Sequence, residues 1–211
     1  LINSFGTTNV NWVNFANNGV GVQSAKSSQL SLASVQIGAS TNYAVSSTDD
    51  STIAISKSIL AGNGALGGGT ILVKADALGT FQSLISGNTI TDANGVALQY
   101  QTAVSGIGAS LATTVQSNTF TAAHGGSAVI AAAWNGPASL LVANNTFTAY
   151  GAGMTGVLIN DTSATQALST QINNNSMTFQ SGASQGTGVS IIAAGTSQVA
   201  VAQNTIDFKA V

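Results

Sequence analysis

Residues 140–148 read Leu-Leu-Val-Ala-Asn-Asn-Thr-Phe-Thr, and this stretch returns along the chain. Aligned on Asn145, clear copies surround Asn88 (LISGNTIT), Asn118 (TVQSNTFT), Asn175 (INNNSMTF) and Asn204 (VAQNTIDF), and weaker ones surround Asn3, Val35 and Ser58. The steps between the eight anchors are 32, 23, 30, 30, 27, 30 and 29 residues. Insertions between fixed columns are typical of the loops of a repeat protein.

Two apolar columns accompany the anchors. The positions two residues after the anchors are large and apolar: Phe5, Ile37, Leu60, Ile90, Phe120, Phe147, Met177 and Ile206. The positions three residues before them are aliphatic: Leu32, Ile55, Ile85, Val115, Val142, Ile172 and Val201. Both columns are therefore predicted to point into the core.

The runs between turn residues are short and β-branched, which favours strands over helices. A period of about 29 residues fits three short strands and three turns per coil, with neighbouring coils paired in parallel at about 4.8 Å. The prediction is an all-β solenoid of about seven coils, forming a single domain over residues 1–211. Both ends lie inside the repeat pattern, so we expect this chain to be a piece of a longer protein whose flanking coils or caps lie outside it.

Asparagine at the anchor has a physical explanation. Asparagine tolerates the left-handed backbone conformation that a sharp bend between strands requires. Amides stacked from coil to coil can also donate and accept hydrogen bonds along the stack. We therefore predict one continuous ladder of five side chains, namely Asn88, Asn118, Asn145, Asn175 and Asn204.

The repeat I-x-x-N-[NS]-T-[IF] resembles that of the right-handed parallel β-helix proteins, the pectate-lyase-like group and the passenger regions of autotransporter adhesins. The resemblance covers nearly the whole chain and implies a right-handed parallel β-helix. That architecture is shared by lyases, hydrolases, phage spikes and adhesive stalks, so function must be argued from individual sites.

The composition points to a neutral exterior. Charged residues make up 5% of the chain, the net charge is −2, and the sequence contains no arginine, no glutamate and no cysteine. A basic stripe is absent, which argues against nucleic acid as a partner. An uninterrupted apolar span of about 18 residues is also absent, so we expect no membrane insertion by this segment. A coat of Ser, Thr, Asn and Gln suits the bacterial exterior, either secreted or at the cell surface.

Asp49, Asp50 and Asp76 are the candidate catalytic residues. They follow strands in neighbouring coils, with Lys74 nearby, and two close carboxylates could perform acid–base hydrolysis. The alternative is that these aspartates are ordinary turn residues. The pair Asp49-Asp50 faintly resembles the paired aspartates of the polygalacturonases. However, His124 lies two to three coils away, and the Arg-x-Lys element of that family is missing from this sequence. No metal site or cofactor is predicted, because the sequence has no cluster of ligands at suitable spacing.

Hydroxyl residues flank the inward apolar column in four successive repeats, at Thr89 and Thr91, Thr119 and Thr121, Thr146 and Thr148, and Ser176 and Thr178, and Asp207 breaks the array in the next repeat. Alternate residues of a strand share a face, so these hydroxyls are predicted to form two outward columns. They resemble the Thr-x-Thr arrays of β-solenoid ice-binding proteins. Threonine is also a common exposed strand residue in any β-helix.

Two tryptophans and three variable connectors complete the candidate binding features. Trp134, in a turn with the single proline, is either a sugar-stacking ring or a packing residue, whereas Trp12 is expected to pack in or under a loop. The connectors 121–127, 148–156 and 178–188 are the predicted recognition surface.

The sequence as a whole favours a non-enzymatic exported segment, an adhesin or stalk of autotransporter type. Its partner would be a surface receptor or glycan on a host or neighbouring cell. A polysaccharide lyase or hydrolase, or a glycan-binding relative of one, is the first alternative, and an ice-binding solenoid is the second.

Overall fold

A computed structural model describes residues 6–65, 68–92, 95–102, 109–122, 128–150, 153–162, 167–180 and 186–209. In these ranges the chain forms strands that recur in the order sheet A, sheet B, sheet C. Sheet A contains β1 (Thr7–Asn11), β4 (Gln29–Ala33), β7 (Thr52–Ser56), β10 (Gly79–Ser86), β13 (Ala109–Gln116), β16 (Ala138–Ala143), β19 (Leu168–Asn173) and β22 (Ser197–Ala202).

Sheets B and C are built in the same way. Sheet B contains β2 (Asn14–Ala16), β5 (Gln36–Gly38), β8 (Ile59–Asn63), β11 (Thr89–Asp92), β14 (Thr119–Ala122), β17 (Thr146–Ala149), β20 (Ser176–Phe179) and β23 (Thr205–Phe208). Sheet C contains β3 (Val20–Ala25), β6 (Tyr43–Thr48), β9 (Gly69–Ala75), β12 (Val96–Thr102), β15 (Ala128–Trp134), β18 (Thr155–Asp161) and β21 (Thr187–Ala193).

Each strand pairs in parallel with the strand one coil away, for example β14 with β17. Sheets A and B have eight strands and sheet C has seven, so the described part of the chain completes seven coils and adds two strands of an eighth. The predicted all-β parallel solenoid, with three short strands per coil, is confirmed. The hand of the winding stays a prediction.

The two predicted inward columns line the core, except in the last coil, where Val201 is 48% and Ile206 41% exposed. Ile90 and Phe120 are fully buried in sheet B, as are Ile85 and Val115 in sheet A. Aromatic rings continue the stacking, with the Phe120 and Phe147 ring centroids 5.1 Å apart and nearly parallel. Burial of these side chains from coil to coil supplies the main favourable free energy of the fold.

The first coil differs from the sequence alignment. Ile37 pairs with Phe15 in the adjacent coil, so Phe15 occupies the inward position that was assigned to Phe5, and Val13 takes the anchor position assigned to Asn3. Phe5 and Asn3 lie outside the described residues. This coil is shorter than the later coils of the solenoid. Its three corners are tight turns, each with one left-handed residue, namely Trp12, Asn17 and Lys26, with φ of 57–58°.

Left-handed backbone lies one residue before the anchor, and not on the anchor as predicted. The residues concerned are Trp12 (φ 58°), Ser34 (56°), Lys57 (51°), Gly87 (64°), Ser117 (56°), Asn144 (57°), Asn174 (55°) and Gln203 (56°). This residue makes the bend, while the anchor side chain turns inward. Four of the five asparagine anchors, Asn204 being the exception, are no more than 2% exposed.

The anchor amides form one ladder along the corner between sheets A and B. Asn88 Nδ2 donates to Asn118 Oδ1 at 3.0 Å and to the Ile55 carbonyl at 2.9 Å. Asn118 Oδ1 also accepts the backbone N–H of Asn88 at 3.0 Å. The same three contacts link each later pair of anchors, namely Asn118 to Asn145, Asn145 to Asn175 and Asn175 to Asn204.

The ladder continues in a reduced form toward the first coils. Ser58 donates its backbone N–H to Asn88 Oδ1 at 2.9 Å, and Val35 donates its own to Ser58 Oγ at 3.2 Å. Because serine has only one polar atom and valine has none, each corner here satisfies fewer groups through side chains than the asparagine corners do.

Glycine at the start of sheet C strands reflects a close approach between coils. A Cβ atom on Gly69 would collide with the carbonyl oxygen of Val96 in the next coil. A Cβ on Gly156 would lie 2.6 Å from the Gly188 carbonyl oxygen and 2.8 Å from the Met177 sulfur. The recurrent Gly-Val and Gly-Thr starts of these strands therefore follow from backbone packing.

We expect Asn145→Ala to lower the free energy of unfolding by about 1–3 kcal/mol, because it leaves the buried N–H groups of Asn118 without their acceptor. Urea denaturation followed by circular dichroism measures the change. Asn9→Ala is the control, because Asn9 is exposed on β1, and it should shift stability by less than about 0.5 kcal/mol. Equal effects of the two substitutions would contradict a stabilising ladder.

Candidate binding surfaces

The candidate carboxylates lie close together, and two of them hold turns. Asp50 is 3% exposed. Its Oδ1 accepts hydrogen bonds from the Ser27 backbone N–H at 2.7 Å and from Ser24 Oγ at 3.1 Å, and its Oδ2 accepts one from Ser47 Oγ at 2.6 Å. Asp50 thus joins the corner between sheets C and A in two neighbouring coils. A carboxylate enclosed in this way has no open side for a substrate.

Asp49 makes a similar connection on the outside of the same corner. Its Oδ1 accepts the backbone N–H groups of Asp76 and Ala77 at 2.7 and 2.8 Å. Asp76 itself forms an ion pair with Lys74 at 2.9 Å, and both side chains are partly exposed. The prediction that these three aspartates lie close together is therefore correct. In the structure, however, their carboxylate oxygens bind donors of the chain itself.

Metal-binding groups are missing from the part of the chain that is described: no group of three or more His, Asp or Glu side chains there could hold an ion. His124 lies outside the described residues. No helix in the described ranges is long and apolar enough to cross a membrane.

Trp134 is a packing residue, which corrects its candidacy as an exposed sugar-stacking ring. It ends β15 with 1% of its surface exposed, and its ring centroid lies 6.1 Å from that of Tyr100 in the neighbouring coil. Tyr100 is fully buried beside Ser83, with 3.2 Å between the two hydroxyl oxygens. Burial raises the pKa of the Tyr100 phenol well above its usual range, and the bond to Ser83 opposes this rise only in part. The phenol therefore stays neutral.

Trp12 is the exposed tryptophan, contrary to the expectation that a loop would cover it. It is 85% exposed at the corner between β1 and β2. A cleft of about 390 Å³ opens beside it, between the first three coils. Local sequence does not distinguish the two tryptophans, since both stand beside turn residues, Trp12 in NVNW and Trp134 in WNGP.

The threonines form two aligned columns on sheet B. Thr89, Thr119 and Thr146 are paired in register and exposed, and two residues further on Thr91, Thr121 and Thr148 are paired and half-buried. The spacing is about 4.8 Å between coils and about 6.6 Å along a strand. The columns end where Ile59 and Ala61 replace the threonines on one side and Asp207 does so on the other.

Sheet A carries a surface feature that the repeat pattern did not predict. A shallow groove of about 450 Å³ crosses its outer face from β7 to β19. Leu84 and Leu141 contribute apolar surface, while Gln82, Thr114 and Gln171 contribute amides and a hydroxyl. Among the described residues that line it, none is charged. In one outward column of this sheet, Leu84 and Leu141 alternate with the smaller Ala54 and Thr114, and all four side chains line the groove.

The three connectors expected to form a recognition surface are only partly described. Residues 123–127, 151–152 and 181–185 lie outside the described ranges, so this prediction stays untested.

The chain matches no protein-family model, no curated protein sequence and no solved structure closely enough to count as a relative. The fold itself defines the class, which is a parallel β-solenoid with three sheets. The narrower likeness to pectate lyases or to autotransporter passengers stays a prediction.

We expect the purified chain to leave polygalacturonate intact, with or without calcium, because Asp49 and Asp50 are engaged by backbone and serine donors. Release of unsaturated or reducing ends, followed by absorbance, measures cleavage. Activity that disappears in Asp50→Ala or Asp76→Ala, with circular dichroism unchanged, would contradict this expectation and favour the enzyme.

Proposed function

We propose that this chain is a non-enzymatic segment of an exported surface protein, an adhesin or stalk of autotransporter type. The observation that carries the proposal is that Asp49 and Asp50 hold turns while Asp76 is paired with Lys74, so that the three candidate carboxylates are all engaged by groups of the chain itself. A solenoid stiffened by a buried amide ladder suits a rod that holds a contact surface away from the cell.

The groove on sheet A supplies the contact surface in this proposal. It spans strands of five successive coils and offers apolar side chains between amide and hydroxyl groups. Such a lining suits an uncharged stretch of a surface receptor or glycan on another cell, because it provides both apolar contact and directional hydrogen bonds. Nucleic acid fits poorly, since the net charge is −2 and phosphate contacts require clustered lysine or arginine.

Ice binding is a second candidate, and the registered threonine columns of sheet B favour it. Three complete Thr-x-Thr rows lie on one parallel sheet, followed by Ser176 and Thr178 in the next coil. A flat array of hydroxyls at a fixed spacing could order water by repetition. The array is short, however, because Ile59 and Asp207 interrupt it at its two ends.

The attachment of coated beads to surfaces tests the proposal that this chain is part of an adhesin. Beads coated with the chain should adhere to cell or glycan surfaces, and Leu84→Glu should reduce adhesion strongly by placing a charge in the groove on sheet A. Leu78→Glu is the matched control, since Leu78 is 71% exposed and outside the groove whereas Leu84 is 39% exposed within it. Adhesion that responds equally to both substitutions would remove the groove from the proposal. Absence of adhesion to every surface tried would argue against an adhesin.

Thr119→Tyr tests the ice-binding candidate. We expect the chain to cause no thermal hysteresis, and we expect Thr119→Tyr to leave bead attachment unchanged, because Thr119 lies on sheet B and the groove lies on sheet A. Nanolitre osmometry and crystal morphology measure the first effect. Hysteresis that Thr119→Tyr abolishes while the circular dichroism spectrum is retained would reverse the ranking of the two candidates.

A further inference from the structure

The cleft beside Trp12, which we call the corner cleft, is a second candidate site, separate from the groove on sheet A. It lies where sheets A and B meet, in the first three coils. Its lining consists of Trp12, Val13, Asn14, Ser34, Val35, Gln36, Lys57 and Ile59. Both sheets and the bend between them contribute to it.

The corner cleft exists because a small residue stands between two large ones. Trp12, Ser34 and Lys57 occupy the same left-handed corner position in successive coils. Coils repeat at about 4.8 Å, so the backbones of Trp12 and Lys57 are about 9.6 Å apart with only the serine side chain between them. The indole forms one wall and the lysine side chain the other.

Folding alone does not explain a tryptophan at this corner. The left-handed conformation disfavours bulky side chains. The other coils place serine, lysine, glycine, asparagine or glutamine at the same position, and Trp12 is the single aromatic residue among the eight. With 85% of its surface exposed it buries little area, whereas Trp134 is 1% exposed. A strained residue that contributes little to the core points to a role in binding.

Neighbouring side chains add to the apolar surface of the corner cleft. Ile59 is 46% exposed, at a position of sheet B where four later coils have Thr89, Thr119, Thr146 and Ser176. Val13 is 37% exposed beside the indole. Three exposed large apolar side chains, those of Trp12, Val13 and Ile59, therefore meet at this one cleft.

The polar groups of the corner cleft indicate the chemistry of the ligand. Asn14 and Gln36 are paired in register on β2 and β5, both are exposed, and both line the cleft together with Trp12. Lys57 is the one charged residue among those that line the cleft. Neither ion pair found in the described residues includes it, since these join Lys74 to Asp76 and Lys209 to Asp207.

We propose that the corner cleft binds a sugar ring that carries an anionic substituent, a carboxylate or a sulfate. The apolar C–H face of a pyranose packs on the indole of Trp12. The amides of Asn14 and Gln36 donate to and accept from its hydroxyl groups. The ammonium of Lys57, on the opposite wall, pairs with the anionic group. The site would give the solenoid a preference for acidic glycans, and it depends on different residues from those of the groove on sheet A.

Titration of the whole chain with three oligosaccharides tests this site. The probes are a hyaluronan tetrasaccharide, which carries carboxylates, a chondroitin sulfate tetrasaccharide, which also carries sulfates, and the neutral tetra-N-acetyl form of chitotetraose, called chitotetraose below. Calorimetry and tryptophan emission should show binding of one or both anionic probes about threefold or more tighter than that of chitotetraose, the factor expected of one exposed ion pair. The better anionic probe identifies the substituent. Equal affinity for all three, or no binding at millimolar concentration, would overturn the proposal.

Two substitutions assign the binding to the corner cleft. Trp12→Asn should weaken binding about tenfold or more, because it removes the stacking ring, and it should leave the fold intact because Asn144 and Asn174 take the same corner conformation. The emission of buried Trp134 serves as an internal check of folding. Unchanged affinity in Trp12→Asn would overturn the proposal.

Lys57→Gln should remove the preference for the anionic probes while leaving the affinity for chitotetraose unchanged. Lys26→Gln is the matched control, since Lys26 has the same left-handed backbone, with φ of 58° against 51° for Lys57, at a corner of sheet C. A preference that survives Lys57→Gln, or that Lys26→Gln removes equally, would exclude Lys57 from the site. Bead attachment distinguishes the two sites. Attachment that persists in Trp12→Asn and is lost in Leu84→Glu depends on the groove on sheet A and not on the corner cleft.

Discussion

The hydrogen bond between the backbone N–H of one corner and the side-chain oxygen of the next coil is the contact on which the solenoid depends. The bend between sheets A and B directs a backbone donor into the interior, where water cannot satisfy it. Asn118 Oδ1 accepts that donor from Asn88 while its own Nδ2 group binds Asn145. Each coil thereby fixes the position of its neighbour, and the apolar columns meet in register.

Sequence alone was sufficient for the part of the fold that repeats. Residues at fixed offsets from an asparagine predict the inward columns, because every coil must solve the same packing problem. The left-handed position was misassigned because residues as different as Gln203, Ser117 and Trp12 occupy it, so no single residue type marks it. The first coil was misaligned because its corners hold Val13 in place of the asparagine that anchored the alignment.

The candidate sites were harder to predict, since they depend on departures from the repeat. Proximity of Asp49, Asp50 and Asp76 followed from their positions after neighbouring strands. Coordinates were needed to show that the Ser24 hydroxyl and the Ser27 backbone N–H bind Asp50, and that the Asp76 backbone N–H binds Asp49. The two tryptophans differ because Trp12 stands at a left-handed corner outside any strand, whereas Trp134 occupies an inward position at the end of β15. Both stand beside turn residues in the sequence, so local sequence does not show which case applies.

The reduced ladder of the first coils has a mechanical consequence. If the rod is pulled along its axis, load passes through the contacts between successive coils, and the weakest contact yields first. At Val35 and Ser58 the corner offers one side-chain acceptor where the later corners offer an amide that both accepts and donates. Under such a load the corner between sheets A and B should therefore open first in the early coils, while Asp50 and Asp49 continue to join those coils at the corner between sheets C and A.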